Sequence, residues 1–204
     1  MSVVDLKPVV YLLVLLNPFA QVIYVWDLMK EKTGGGFPAI YGRASLLTYG
    51  VFLLFAFTGE WLLEDVFQVA LGSFQVFGGL IMVAIGYRYI LDAGKASGVN
   101  RVGSDLAPNV AIPFMIGPAT VWESIVIGKS LPFFTCVIGI GAVLIANWVF
   151  VAGVARAVGR LEGYRDTLVG KYFGVLMRTN ALFIGAIGVE MILAGLKQYF
   201  MAPQ

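Results

Sequence analysis

The sequence predicts an all-α, polytopic membrane protein with six transmembrane helices, arranged as two inverted three-helix repeats in which helices 1 and 4 are broken. Three observations predict this fold. Of the 204 residues, 59% are hydrophobic and only 13% are charged, whereas about a quarter of a soluble domain is charged. Six apolar stretches are long enough to cross a bilayer, and the two halves of the chain share a short pattern. The surplus apolar surface must face lipid, so the bilayer is itself a partner of the chain.

The six predicted spans follow from the length that a bilayer requires, about 20 predominantly apolar residues. They cover roughly 9–28, 39–62, 66–91, 107–127, 131–155 and 173–196. Gly, Pro and charged residues cluster in the connections, as in EKTGGGFP after the first span, and such clusters indicate turns. No connection is long enough for a second domain, so we predict a single membrane domain over 1–204.

An internal repeat relates spans three and six. GLIMVAIGYRYILDAGK (79–95) and ALFIGAIGVEMILAGLK (181–197) match at seven of seventeen positions without a gap, at an offset of 102 residues. Pro18 in span one and Pro118 in span four stand 100 residues apart, each near the middle of its span. Because three spans per repeat is an odd number, the second repeat (about 96–204) must be inverted relative to the first (about 1–95). Inverted repeats with broken helices at equivalent positions indicate the binding site of a secondary transporter.

The two mid-span prolines lie in LLNPFAQV (15–22) and MIGPATVW (115–122). Proline removes a backbone donor but suits the first position of a helix, so each can end one half-helix and begin another. Asn17 can cap the first new half-helix, and Gly117 permits close backbone approach in the second. We expect unpaired amides around 19–21 and 119–121, which would make a midplane pocket suited to a carboxylate. The alternative is a pair of kinks that neighbouring helices tolerate.

Polar residues beside the prolines complete the predicted site. Thr120, Glu123 and Ser124 share one helix face. An ionisable group inside a span is a functional hypothesis, so Glu123 is the leading candidate for contact with a coupling ion or a substrate amine. The alternative is that it reaches the outer interface. Arg178 is deep enough in span six to reach a carboxylate or to stop at the headgroups. The predicted substrate-binding residues are Asn17, Pro18, Gln21, Gly117, Pro118, Ala119, Thr120 and Glu123, with Glu123 and Arg178 as candidates for ion coupling.

Several functions are excluded because the chain lacks the residues that they require. The chain has no histidine and one cysteine, Cys136, which excludes an internal disulfide, a His-based metal site and a His-based catalytic triad. We therefore expect no metal, no cofactor and no enzymatic activity. The net charge is +2 and the basic residues form no stripe, so nucleic acid is not expected as a partner.

The basic residues of the loops predict the orientation. One predicted side holds Lys7, Lys129 and Lys197, and the other side holds ten basic residues. Because Lys and Arg accumulate in cytoplasmic loops, both termini should lie outside. The N-terminal run has no cleavage motif and is typical of a retained first span.

Several stretches resemble one family. AIPFMIGPAT (111–120) resembles the Pro-rich run in the fourth span of the MarC family of prokaryotic inner-membrane proteins, and the Asn-Pro of LLNPFAQV resembles its first span. FGGLIMVAIGYRYI (77–90) and LMRTNALFIGAIGVEMILAGL (176–196) are similar to its third and sixth spans. The family usually has Gly-Pro-Gly where this chain has Gly117-Pro118-Ala119. The resemblance implies a six-span protein of the cytoplasmic membrane, and some relatives are assigned transport of glycine and alanine.

The predicted function is that of a secondary transporter working by alternating access at the midplane site, coupled to protons or sodium. The resemblance implies a small neutral amino acid as substrate, whereas the residues alone support only a small ligand with an anionic group. The alternatives are a passive channel through the same breaks and a structural subunit that transports nothing. A homodimer is compatible with the size of the chain, although the sequence identifies no pairing face.

Overall fold

Helices account for the regular structure of the chain. The computed structural model describes residues 5–25, 28–29, 36–91, 115–160 and 165–201, and no strand occurs among them. The helices are α1 (Lys7–Leu16), α2 (Pro18–Tyr24), α3 (Gly36–Trp61), α4 (Leu71–Leu91), α5 (Pro118–Ser130), α6 (Phe133–Arg160) and α7 (Arg165–Met201). A single π-helical turn, Leu62–Val66, extends α3.

Four helical stretches are long and apolar enough to cross a membrane, namely Gly36–Val66, Leu71–Arg88, Phe133–Ala157 and Arg178–Phe200. They correspond to predicted spans two, three, five and six. The predicted first span differs, because its shorter apolar stretch contains two helices of 10 and 7 residues that meet at Asn17. In the predicted fourth span, residues 118–127 are helical, while 107–114 and the connection before them lie outside the described residues.

Proline marks the beginning of several helices. Pro18 and Pro118 are the first residues of α2 and α5, and Pro132 directly precedes α6. The fixed φ of proline suits the first helical turn, where its missing N–H would have had no partner. Leu131 is extended, with φ −119° and ψ 147°, as contact with the following proline ring favours. The chain therefore passes from α5 to α6 through a very short extended connection.

The helices pack around a central α5. α4 pairs extensively with α7, α3 packs on both α5 and α6, and α1 also contacts α5 and α6. The main core cluster joins Leu12 of α1, Phe52 of α3 and Ile140 of α6. Large apolar side chains such as Phe134 (77% exposed) and Leu46 (71% exposed) point outward. Together with the apolar helices, this surface is what a multi-pass membrane protein presents to lipid.

Small residues bring α4 and α7 into backbone contact. A Cβ atom on Gly79 would lie 2.5 Å from the Gly188 carbonyl oxygen, and one on Gly195 would lie 2.6 Å from the Gly72 carbonyl oxygen. Real Cβ atoms do not approach so closely, so only glycine fits at these points. Small residues permit such close helix packing in membranes. We call this contact the glycine seam, and it consists of Gly72, Gly79 and Gly86 of α4 with Gly195, Gly188 and Ala181 of α7.

Candidate functional site

The first apolar stretch leaves the helical conformation at Asn17. This residue is left-handed, with φ 48° and ψ 72°, a conformation that asparagine tolerates better than most side chains. Its amide donates to the Val14 carbonyl oxygen at 3.1 Å and so ends α1. Its side-chain oxygen accepts a hydrogen bond from the Ala20 amide at 3.2 Å. Asn17 therefore caps α2, as the sequence predicted.

A buried polar cluster lies beside this interruption. Because the Ala20 amide bonds to the cap, the Leu16 carbonyl oxygen loses its helical donor, and the Gln21 side-chain N–H replaces it at 2.7 Å. The Gln21 side-chain oxygen accepts from the Tyr41 hydroxyl and from the Asn147 side-chain amide, the latter at 3.0 Å. The Asn147 amide also donates to the Tyr41 oxygen at 3.0 Å. We call Gln21, Tyr41 and Asn147 the amide–hydroxyl cluster, which joins α2, α3 and α6.

A second amide contact joins the interruption to α7. The Asn17 side-chain N–H donates to the side-chain oxygen of Asn180. Asn180 lies two residues beyond Arg178, whose side chain is exposed. Helix α7 therefore reaches the interruption through Asn180 and not through Arg178.

The start of α5 is the second interruption that the sequence predicted, and residues 92–114 before it lie outside the described part of the chain. Gly117 is extended, with φ −113° and ψ 167°, and Pro118 begins the helix. The Thr120 hydroxyl accepts from the Gly117 amide at 2.9 Å and donates to the Met115 carbonyl oxygen at 2.8 Å. The Thr120 side chain thus bonds to both an amide and a carbonyl group of the turn before α5, because a hydroxyl is both donor and acceptor.

The backbone amides at the interruptions are less available than the sequence predicted. The Gln21 amide donates to the Asn17 carbonyl oxygen at 3.1 Å, and the Val121 amide donates to the Gly117 carbonyl oxygen at 2.9 Å. The Ala20 amide is bonded to the cap. The expectation of unpaired amides is wrong for these three groups, because capping and the first helical bonds occupy them. What the two interruptions offer is therefore buried polar side chains and not free backbone amides.

The end of α1 lies near the start of α5. Leu15 of α1, Ala119 of α5 and Met191 of α7 share one buried cluster. Pro118 lies against α4, since a Cβ atom on Gly78 would lie 2.8 Å from the Pro118 Cβ. Leu15, two residues before Asn17, is therefore grouped with Ala119, one residue after Pro118. The role of the predicted site residues in binding stays a prediction.

Glu123 lines a groove that begins at the start of α1. The residue is 4% exposed, and Thr120 and Ser124, which the spacing placed on the same helix face, are buried with it. The salt bridges among the described residues, Lys7–Asp5 and Lys129–Glu60, do not include it. The part of the chain that is described holds no group of three or more His, Cys, Asp or Glu that could bind a metal. The groove has a volume of about 680 Å³ and is lined by Asp5, Leu6, Lys7, Pro8, Val10, Tyr11, Val14 and Glu123.

The site predicted from the sequence did not include Tyr41, Asn147 or Asn180. A signal was present for the two asparagines, because an amide inside an apolar run indicates a hydrogen bond between helices. They stand in IGAVLIANWVFVAG (140–153) and RTNALFIG (178–185). No sequence signal shows which residues the two asparagines bond to, because Asn147 is 126 residues from Gln21 and Asn180 is 163 residues from Asn17.

Comparisons with known proteins confirm the resemblance seen in the sequence. The pattern described as MarC family integral membrane protein matches residues 4–200. A UPF0056 membrane protein of Pyrococcus horikoshii is 27% identical over 193 residues, which cover 93% of this chain and 92% of that protein. A UPF0056 membrane protein of Aquifex aeolicus is 25% identical over 207 residues, which cover 96% and 94%. No solved structure is significantly similar to the chain. The chain belongs to the MarC family of integral membrane proteins.

Proposed function

We propose that the chain is a secondary transporter of a small metabolite, in the class of small neutral amino acids such as glycine and alanine. Two inverted repeats would open one central site alternately to the two sides of a prokaryotic cytoplasmic membrane, with both termini outside. The observation that carries the proposal is the packing of the end of α1 near the start of α5, where Leu15 and Ala119 share one buried cluster. Irregular backbone at membrane depth is tolerated only where protein buries it or water reaches it, and such meeting points are where secondary transporters bind substrate.

The glycine seam supports the inverted repeat independently. The sequence repeat relates position 79 to 181 and position 86 to 188, at the offset of 102. Applying this offset converts the pair Gly79–Gly188 into the pair Ala181–Gly86, and both pairs are in contact. A two-fold axis in the membrane plane, which reverses helix direction, produces an antiparallel contact of this kind.

The two interruptions would hold different parts of the substrate. The dipole of α5, a helix of 13 residues, favours an anionic group near Gly117, Pro118, Ala119 and Thr120. Asn17, Pro18 and Gln21 would form the opposite wall of the site. A substrate bridging the two walls would touch both repeats, which is what alternating access requires.

Glu123 is our candidate for ion coupling. Its carboxylate is almost fully buried yet lines the groove at the start of α1, so a proton or sodium ion could reach it from one side. The exposure of Arg178 favours a position at the lipid headgroups over a coupling role. Glu123→Gln keeps the shape but cannot ionise, and we expect it to make uptake insensitive to the proton or sodium gradient.

Uptake by lipid vesicles tests the function. The purified protein would be reconstituted and supplied with labelled glycine, alanine or leucine under preset proton and sodium gradients, with protein-free vesicles as the control. We expect saturable uptake of glycine or alanine, and faster entry of label when the vesicles contain unlabelled substrate. Flux that never saturates and never exceeds its gradient would identify a channel. The absence of any flux would favour a structural subunit.

A further inference from the structure

One buried oxygen of the amide–hydroxyl cluster has no hydrogen-bond partner within the described part of the chain. The side-chain oxygen of Asn147 is shielded from solvent and accepts no hydrogen bond from the described residues. Its side-chain nitrogen is held by two acceptors, the Gln21 and Tyr41 oxygens, each at 3.0 Å. Exchanging nitrogen and oxygen would place the oxygen against the Gln21 oxygen, so the neighbours fix the orientation. A buried acceptor without a donor is costly, and native proteins contain few of them.

The cluster has a surplus of acceptors. The Tyr41 hydroxyl donates to Gln21, and the Asn147 N–H groups are directed at Gln21 and Tyr41. The donors of Tyr41 and Asn147 are thus used inside the cluster, while the Asn147 oxygen accepts nothing. A group that completes the cluster must therefore donate a hydrogen bond. A carboxylate, which only accepts, does not fit at this point.

The position of Asn147 excludes the lipid as the missing donor. It lies near the centre of the Phe133–Ala157 span, where the hydrocarbon offers no hydrogen-bonding group. Its bond to Gln21 also sets it beside the interruption at Asn17. The donor must come from a ligand or from a trapped water molecule.

Building on the proposed transport function, we propose that the Asn147 side-chain oxygen accepts the protonated amine of a small zwitterionic substrate, oriented for this by Gln21 and Tyr41. A primary ammonium group carries three N–H donors and no acceptor. A zwitterion brings its own carboxylate, so no net charge enters the interior, whereas a simple alkylamine would bury a lone cation. The inference adds Asn147 and Tyr41 to the site and makes the amine an essential part of the substrate.

Access to this acceptor requires a second conformation. Tyr41 and Asn147 are 0% exposed and Gln21 is 1% exposed, so the cluster is sealed as described. Helix α2 must separate from α3 or α6 for a substrate to enter. Asn17, which has a left-handed backbone conformation at the end of α1, would be the hinge of this movement.

Ligand binding by the unmodified protein gives the first test. Thermal shifts in detergent, with choline chloride as the only salt, would compare glycine, N-methylglycine, N,N,N-trimethylglycine and acetate, because ligands that bind the native state raise its stability. We expect glycine and N-methylglycine to bind, while trimethylglycine, which keeps both charges but has no N–H, and acetate bind at least about tenfold more weakly. Equal binding of acetate or trimethylglycine, or no response to glycine, would overturn the inference.

A variant gives the second test. Asn147→Leu should raise the Kd for glycine at least about tenfold, because it removes the acceptor oxygen. The ligand-free melting temperature shows whether the variant folds despite losing the hydrogen bonds that Asn147 donates to Gln21 and Tyr41. Ser45→Ala is the matched control, since it removes a nearby buried hydroxyl that bonds to its own helix at the Tyr41 carbonyl oxygen, 2.9 Å away. The control should leave the Kd unchanged. If the leucine variant does not fold, Asn147→Ala replaces it, and the ligand series on the unmodified protein decides by itself.

Two results with the variant would overturn the inference. An unchanged Kd for glycine in a folded variant would mean that only trapped water bonds to the oxygen. A stabilisation by sodium chloride alone that Asn147→Leu abolishes would assign the oxygen to a metal cation.

Vesicle uptake separates this inference from the transport function on which it is built. Glycine uptake that Asn147→Leu leaves unaltered would keep the transporter and remove the amine site. Binding of glycine that depends on Asn147, without any uptake, would keep the amine site and remove the transporter.

Discussion

The glycine seam and the region around Asn17 join helices by opposite means. In the seam, α4 and α7 touch through backbone atoms because the side chains are absent or small. Around Asn17, the backbone leaves the helix, and the side chains of Asn17 and Gln21 take over bonds that the helix would have made. A backbone contact without side chains has no alternative partner, whereas side-chain hydrogen bonds can be exchanged for bonds to water or ligand. We therefore expect the seam to stay fixed and the interrupted region to be the part that rearranges.

The largest effect is expected in the seam. An alanine at position 188 would place its Cβ 2.8 Å from the Gly79 carbonyl oxygen, so Gly188→Ala should reduce the free energy of unfolding by about 3 kcal/mol. Unfolding by detergent titration measures it. Gly185→Ala is the matched control on the same helix, because a Cβ there has no neighbour within 4 Å. Equal stability of the two variants would show that the seam is not tightly packed.

The second-largest loss of stability is expected at the interruption around Asn17, where the Gln21 side chain bonds to the Leu16 carbonyl oxygen. Gln21→Leu leaves the Leu16 carbonyl oxygen without its donor and removes the acceptor of Tyr41, which should cost about 2 kcal/mol of unfolding free energy. The same titration measures the loss. Thr58→Val removes an exposed hydroxyl that bonds within α3 and should change little. A loss for Gln21→Leu no greater than for this control would mean that the cluster adds nothing to stability.

A third prediction separates function from stability. Pro118→Ala should reduce uptake about tenfold while membrane insertion and melting temperature stay near normal, since alanine is tolerated at a helix start. Pro132→Ala is the control, because Pro132 also precedes a helix but lies in the connection before α6. Unchanged uptake in the first variant, or the same loss in both, would remove the interruption from the transport site.

The smallest change in stability is expected for a salt bridge at the helix ends. Lys129 and Glu60 form a salt bridge between the ends of α5 and α3, and both side chains are partly exposed. Lys129→Met should change the free energy of unfolding by less than about 0.5 kcal/mol, because exposed pairs contribute little. A clearly larger loss would make this pair a third means of joining helices.

Composition and apolar length were sufficient to predict the helical membrane fold, because the need to cover hydrocarbon acts on every residue of a span. The spacing of Thr120, Glu123 and Ser124 also predicted their shared face, since helical periodicity is local, while the burial of that face is seen only in the structure. The free amides were predicted wrongly at Ala20, Gln21 and Val121, because the Asn17 cap occupies the first amide and the first helical hydrogen bonds occupy the other two. The partnership of Gln21, Tyr41 and Asn147 depends on how three distant helices meet, and no local pattern encodes it.

An interface that a two-fold axis maps onto itself presents the same surface from both sides, as in an isologous dimer. A three-helix chain of half this length, inserted in both orientations, would make the contact of the glycine seam between two separate copies. The present chain would then correspond to a duplicated gene whose two products are covalently joined. Under the proposed repeat, such fusion would free the halves to diverge, as at Gly79, whose counterpart in the second half is Ala181.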